Sequence, residues 1–233
     1  VSLAVQFLTA FFVTAAFATL AYALGMVSRS GALGGLLVGT AIYASLGPQG
    51  FAVLALFVVG GSLLTRLGYG SKQRTGTAQE HGGRRGARNA LANCSVAVLC
   101  AILAAATDWD QFTLAFVASL GAAFADTSES EIGQLFSRTP RLISTLRKVQ
   151  PGTDGAISLP GTLAGVTAAC LTATLALALG LLETPETALL VGTAAFLGTV
   201  ADSLIGALSP RTTNELTNLL CTLVAALLAL ILV

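Results

Sequence analysis

Apolar positions along this chain fall in long unbroken blocks, without the two- or 3.6-residue alternation of half-buried soluble elements. A helix needs about 20 apolar residues to cross the hydrocarbon core of a bilayer. Eight segments approach that length: 3–26, 31–46, 50–67, 89–106, 112–128, 157–181, 187–206 and 215–233. The first matches its successors in length and character, so it reads as a span and not as a cleaved signal peptide. The second is short and glycine-rich. It reads as a full span or as a broken, re-entrant element, a form tolerated at membrane depth only when buried in protein. Gly34, Gly35 and Gly39, like Gly161 and Gly165, suit close helix–helix approach. The expected fold class is an all-α integral membrane protein of about eight transmembrane helices.

Composition supports this. The chain is 55% hydrophobic and 10% charged, with mean hydropathy +0.82, where a soluble domain carries about 25% charged residues. A net charge of +1 gives no ground for a nucleic-acid partner. Cys94, Cys100, Cys170 and Cys221 lie in apolar runs without a CxxC pair and read as small buried residues.

The chain also echoes itself. GALGGLLVGTAIYAS (31–45) resembles GAISLPGTLAGVTAA (155–169), GGSLLTRLG (60–68) resembles VADSLIGAL (200–208), and RNALANCSVAVLCAILA (88–104) resembles TNELTNLLCTLVAALLA (213–229), in the same order. This suggests two four-helix repeats, 1–107 and 108–233, together forming one transmembrane domain. An even number of helices per half puts the pseudo-axis along the membrane normal. Should the second segment fail to span, the halves are inverted instead.

Charge sets the expected orientation. All 12 Lys and Arg residues fall on alternate connections: Arg29; then Arg66, Lys72, Arg74, Arg84, Arg85 and Arg88; then Arg138, Arg141, Arg147 and Lys148; then Arg211. The opposite connections carry Asp108, Asp110, Glu183 and Glu186, with Trp109 as an interfacial aromatic. By the positive-inside rule the basic face is cytoplasmic and both termini are on the other side. The remaining acids, Glu80, Asp126, Glu129, Glu131, Asp154, Asp202 and Glu215, border the basic face.

Asp126 and Asp202 sit in apolar contexts, where an ionisable group normally marks a site or pathway. Asp126 and Glu129 share a helical face; Glu131, five beyond Asp126, points elsewhere unless the helix has ended. Two or three carboxylates near one point suit Mg²⁺, which keeps waters and phosphates in its shell. The plainer reading is a solvated helix end paired with Arg138 or Arg141. Lys72, Arg74, Arg84, Arg85 and Arg88, in a glycine-rich loop, suit an anion cradle; simple inside-positive anchoring is the alternative. Asn89 and Asn93, and again Asn214 and Asn218, place amides one turn apart, either in a polar cavity or as glue between helices. Thr153, Asp154 and Ser158 surround a helix start whose free N–H groups suit phosphate; Thr153 or Asp154 as a plain N-cap is the alternative. His81, the only histidine, reads as a solvated loop residue. No P-loop signature, GxGxxG, HExxH or GxSxG occurs.

ADTSESEIGQLF, EHGGRRGARNALAN, RLISTLRKVQPGTDGAISLPGTLAG and ADSLIGALSPRTTNELTNLL together resemble the membrane family of transmembrane protein 19 and the phytyl-phosphate kinases (domain of unknown function family 92). The similarity covers almost the whole chain; its most specific elements are Asp126 to Gly133 and Pro151 to Gly161. The resemblance implies a multi-spanning helical enzyme. It would pass a phosphoryl group from a nucleoside triphosphate, CTP above others, to an isoprenyl monophosphate such as phytyl phosphate, with Mg²⁺ as cofactor. On that reading Asp126, Glu131, Lys72 and Arg85 are catalytic, and Asp126, Glu129, Glu131 and Asp202 hold the metal. Glu129 stands at a variable place in the motif and ranks behind Asp126 and Glu131. Arg74, Arg84, Arg88, Asn89, Asn93, Lys148, Thr153, Asp154, Ser158, Asn214 and Asn218 would contact nucleotide or lipid phosphate. The expected partners are a bilayer, an isoprenyl phosphate and a nucleotide; self-association into a homo-oligomer stays open. A cytidylyltransferase making a CDP-lipid and a carrier of an anionic substrate are the competing classes.

Overall fold

The computed structural model describes residues 3–107, 109–209 and 211–232; Asp108 lies outside the described residues. The elements are α1 (Leu3–Ala23), α2 (Arg29–Arg66), α3 (Tyr69–Arg74), α4 (Glu80–Gly83), α5 (Ala87–Thr107), α6 (Asp110–Phe136), the two-residue strands β1 (Arg141–Leu142) and β2 (Ala156–Ile157), α7 (Leu159–Ala178), α8 (Pro185–Leu208) and α9 (Asn214–Leu232). Among the described residues six helices, α1, α2, α5, α7, α8 and α9, are long and apolar enough to cross a membrane. The 27-residue α6 carries Asp126, Glu129 and Glu131 in its last third.

The α2 stretch is not one rod. At about 1.5 Å per residue, 38 helical residues would span roughly 57 Å, yet Gly31 and Ser62 line the same hollow as Arg85, and the rings of Tyr43 and Phe51 are 5.8 Å apart. The chain reverses at Gly47, whose φ of 65° and ψ of −162° belong to a region essentially open only to glycine. Pro48 then starts the second leg with φ preset for a helix. The legs, 29–46 and 48–66, therefore lie side by side, and the glycine-rich second segment is a continuous helical leg.

Side-chain size is distributed oppositely to a soluble protein. Leu33, Leu37, Leu189 and Ile231 are largely exposed, while Ala115, Ala118, Ala122, Ala123 and Ala125 are buried. Lipid tails solvate large apolar side chains as well as protein does, so helix association rests on close backbone approach between small residues. This puts α6 at the centre, against α2, α5, α7, α8 and α9.

The basic connections gather at one end. Arg66 donates to the Leu24 carbonyl, Arg85 exchanges backbone hydrogen bonds with Met26 and Ser28, and Gly152 lies against Thr77. At the other end Gln6 Nε2 donates to the Ala44 carbonyl (2.9 Å), and Trp109, stacked on Phe112, shares a hollow with Leu230. The first and last helices thus begin and finish opposite the basic loops.

Gly47→Ala should destabilise the protein by about 1–3 kcal/mol, the cost of a side chain in that backbone region, whereas Gly35→Ala, within the first leg, should be neutral or stabilising. Thermal unfolding in detergent checks the pair; equal Tm values for the two variants would contradict the reversal at Gly47.

Candidate functional site

A polar cavity of about 180 Å³ opens at the basic end, walled by α6, α8, the starts of α5, α7 and α9, and the 137–158 connection. Helix α6 makes it possible by continuing to Phe136 instead of ending near residue 128. Two serines on that extension satisfy their hydroxyls within their own helix: Ser128 Oγ donates to the Phe124 carbonyl (2.7 Å) and Ser130 Oγ to the Thr127 carbonyl (3.1 Å). With the helix intact, Asp126 and Glu129 share the cavity face. Asp202 joins them from α8, and the charges of Asp202 and Glu129 both act on Asp126. Asp202 Oδ1 is buried without a hydrogen-bond partner.

Arg85 is the cation facing these acids. Its backbone is bonded to the 26–28 segment, which aims the side chain inward. The guanidinium lies against Thr127 Oγ1 (3.3 Å) and Thr65 Oγ1 (3.4 Å), and over the Phe57 ring at 5.6 Å. Burial pulls its pKa below the ordinary arginine value, while the charges of Glu131 and Asp126 oppose that shift.

The opposite wall comes from the 137–158 connection. Its ends are tied by the β1–β2 pair, with Arg141 opposite Ile157 and Leu142 opposite Ala156. Gly155, at φ +72°, sits so close to α8 that a methyl group there would meet the Ala207 amide nitrogen and the Ser203 carbonyl oxygen at about 2.5 Å or less. Ser158 caps α7, accepting from the Gly161 amide (3.2 Å); neither Thr153 nor Asp154 serves as the cap.

Ten of the expected residues line this one cavity: Arg85, Asn89, Asp126, Glu129, Thr153, Asp154, Ser158, Asp202, Asn214 and Asn218. Others do not. Glu131 turns away from Asp126 into a buried ion pair with Lys72, whose ammonium also donates to the carbonyls of Leu64 (3.1 Å) and Thr65 (2.9 Å). Both side chains are 3% exposed or less, so neither reaches the cavity, and the pair fastens α3 to α6. Asn93 donates to the Asn89 carbonyl within its own helix (2.9 Å). Arg74, Arg84, Arg88 and Lys148 are exposed outside the cavity. Gln79, Gln134, Thr162 and Ser203 line it as well, and sequence reasoning does not find them: they are neutral, and only the place of Ser203 beside Asp202 offers a signal.

A second hollow, apolar and about 60 Å³, lies between α1, the two legs of α2 and the start of α5, and it too reaches Arg85 and Asn89.

Residues 12–226 match the model of the family described as integral membrane protein DUF92. The chain belongs to that family. It is 35% identical over 202 residues to an uncharacterized membrane protein of Synechocystis sp., covering 83% of this chain and 78% of that one. It is 34% identical over 209 residues to an uncharacterized membrane protein of Methanocaldococcus jannaschii, covering 88% and 85%. Protein VTE6, chloroplastic, of Arabidopsis thaliana is 34% identical over 186 residues, covering 78% of this chain and 56% of that protein, so the chain spans little more than half its length. No solved structure matches. The chain is therefore an integral, multi-pass membrane protein of the DUF92 family.

Among the described residues of this DUF92 chain, no three His, Cys, Asp or Glu side chains stand close enough to enclose a metal by themselves. The donor set of Asp126, Glu129 and Asp202 is all oxygen, and Asp202 Oδ1 is free to coordinate. That fits Mg²⁺, which takes one or two carboxylates and completes its shell with water and phosphate.

Removing one partner of the buried pair, in Lys72→Met or Glu131→Leu, should destabilise the protein by about 3–5 kcal/mol, because the other is left without its partner. The double replacement Lys72→Met with Glu131→Leu should recover most of that loss. A double-mutant cycle on thermal unfolding in detergent measures it; additive losses would show that the two side chains do not depend on each other.

Proposed function

We propose that this chain is a Mg²⁺-dependent phosphotransferase that moves the terminal phosphoryl group of a nucleoside triphosphate, CTP on the resemblance of its motifs, to an isoprenyl monophosphate of the phytyl class, giving the diphosphate. The observation that carries the reading is the single cavity in which Asp126, Glu129 and Asp202 face Arg85 at the basic end of a membrane domain. Phosphoryl transfer needs positioning and charge neutralisation more than an elaborate nucleophile. The attacking lipid phosphate oxygen is already anionic, so no general base is needed. It forms a bond to the terminal phosphorus as the bridging oxygen leaves with the nucleoside diphosphate.

Asp126 and Asp202, with Glu129 beside them, would hold Mg²⁺, which when bound neutralises phosphate oxygens. Arg85 contributes a guanidinium that forks onto phosphate, prepositioned by Thr65, Thr127 and Phe57. Asn89, Asn214 and Asn218 offer amides along the wall, and Thr153, Asp154 and Ser158 shape the mouth. Lys72 and Glu131 act from behind, holding α3 and its loop against α6.

The same reading has eight crossings in two halves, with the basic loops cytoplasmic. The reversal at Gly47 divides α2 into two crossings, and the 27-residue α6 is the eighth. The repeat is supported by matching caps: Ser28 accepts from Gly31 (3.1 Å) as Ser158 accepts from Gly161 (3.2 Å). That register pairs Gly31 with Gly161, not with Gly155.

Purified protein given an isoprenyl monophosphate, labelled CTP and Mg²⁺ should yield lipid diphosphate and CDP. Asp126→Asn and Asp202→Asn should each lower kcat by about 10²–10³-fold, the scale seen when one charge-stabilising group is removed, with Tm retained. Near-normal turnover by Asp126→Asn would contradict the assignment. CDP-lipid with pyrophosphate would replace it with cytidylyl transfer, and nucleotide-free uptake into liposomes with carriage.

A further inference from the structure

The apolar hollow beside the carboxylate cavity has no role in the chemistry above. Phe17, Val38, Leu54 and Phe57 form its walls. Its polar groups are the Thr14 hydroxyl on the α1 wall and, gathered at one end with the only charge, Ser62, Arg85 and Asn89. Two of these residues, Arg85 and Asn89, also line the carboxylate cavity, so the two spaces meet there. The junction is under-satisfied: Arg85 Nε and Ser62 Oγ are buried and have no hydrogen-bond partner. Buried donors left unmade are costly, and an anion at that point would accept from both.

Gly35 lies on the wall of this hollow. A methyl group there would meet nothing within 4 Å, so no neighbouring helix requires the small residue. Gly35 therefore leaves bare backbone facing the open space. The corresponding position after the α7 cap, Gly165, differs: a methyl there would run into the Glu129 side chain at 2.4 Å. One glycine makes room for a cavity acid; the other faces an open apolar space.

We propose that this hollow holds the head-proximal part of the hydrocarbon chain of the phosphorylated lipid, with its phosphate at Arg85, Ser62 and Asn89, facing the carboxylate cavity. The assignment rests on the reading above that the acceptor is a lipid monophosphate, and it adds where that lipid's chain enters the protein: between α1, the two legs of α2 and the start of α5. The hollow is about 60 Å³, room for the head-proximal carbons of one chain and not for a helix of roughly 10 Å diameter; the rest of the chain would leave it between the helices. The mixed ending, apolar along the walls and cationic at one end, matches an amphiphile with a single anionic head.

The test uses the full chain in detergent and an isoprenyl monophosphate carrying a diazirine on its chain, photolysed without nucleotide and mapped by peptide sequencing. Labels should fall on the hollow's walls, Phe17, Val38 and Phe57. Gly35→Leu should cut labelling about tenfold or more, the loss expected when two or so methylenes can no longer be buried, while Gly35→Ala should label nearly as wild type. Labels elsewhere, as on the open face between α7 and α8, or no labels at all, would overturn the proposal, and the wild-type map decides this even if Gly35→Leu does not fold. Because labelling needs no nucleotide, labels in the hollow without turnover would uphold the hollow and remove the phosphotransfer reading. Turnover with labels elsewhere would do the reverse.

Discussion

Charge in hydrocarbon must be answered by charge, by hydrogen bonds or by water, since a single unanswered Asp, Lys or Arg costs at least about 2.5–3.5 kcal/mol at the centre of a bilayer. The structure answers its inward-facing charges in three ways. Glu131 is closed off by Lys72, which also binds two backbone carbonyls. Arg85 is held between threonine hydroxyls and an aromatic face. Asp126, Glu129 and Asp202 open onto a shared polar cavity. The first arrangement is closed to the cavity and pairs Glu131 through Oε2 alone, leaving Oε1 without a hydrogen bond. The other two leave binding capacity at the cavity, at Asp202 Oδ1 and Arg85 Nε, which on the proposed reading a cation and a phosphate would use.

Small residues bring the charges together. An alanine-lined α6 lets five helices approach its axis, so side chains from α5, α6, α8 and α9 converge on one volume. Gly155 brings the 137–158 connection against the α8 backbone, and β1–β2 ties the ends of that connection. Larger side chains at the helix crossings would move the carboxylates apart and dissolve the cavity, even with every acid still present.

Much of this was legible from residue order alone. Apolar blocks and a scarcity of charge imply membrane helices whatever the tertiary packing, and the one-sided distribution of Lys and Arg corresponds to the single basic end of the structure. The acids at 126, 129 and 202 announced themselves by standing in apolar contexts. What could not be read was direction. Whether Glu131 faces Asp126 depends on where α6 ends, and the helix runs on to Phe136 beside a cavity instead of ending in solvent. The partnership of Glu131 with Lys72 spans 59 positions and leaves no local trace. The exposed arginines at 74, 84 and 88 look identical in sequence to Arg85; only the backbone pairing of Arg85 with the 26–28 segment selects it. Gly47 likewise reads as one glycine among 25 until the two legs of α2 are seen side by side.

The central claim is that carboxylates from α6 and α8 jointly present an oxygen site beside Arg85. Mn²⁺, a paramagnetic stand-in for Mg²⁺, reports this directly by electron paramagnetic resonance of the purified protein with and without CTP. The account predicts a bound Mn²⁺ signal strengthened by nucleotide, weakened in Asp126→Asn and in Asp202→Asn alone, and lost in the double variant, with Lys72→Met/Glu131→Leu unaffected. Nucleotide-dependent Mn²⁺ binding that survives in the Asp126→Asn/Asp202→Asn protein would contradict it.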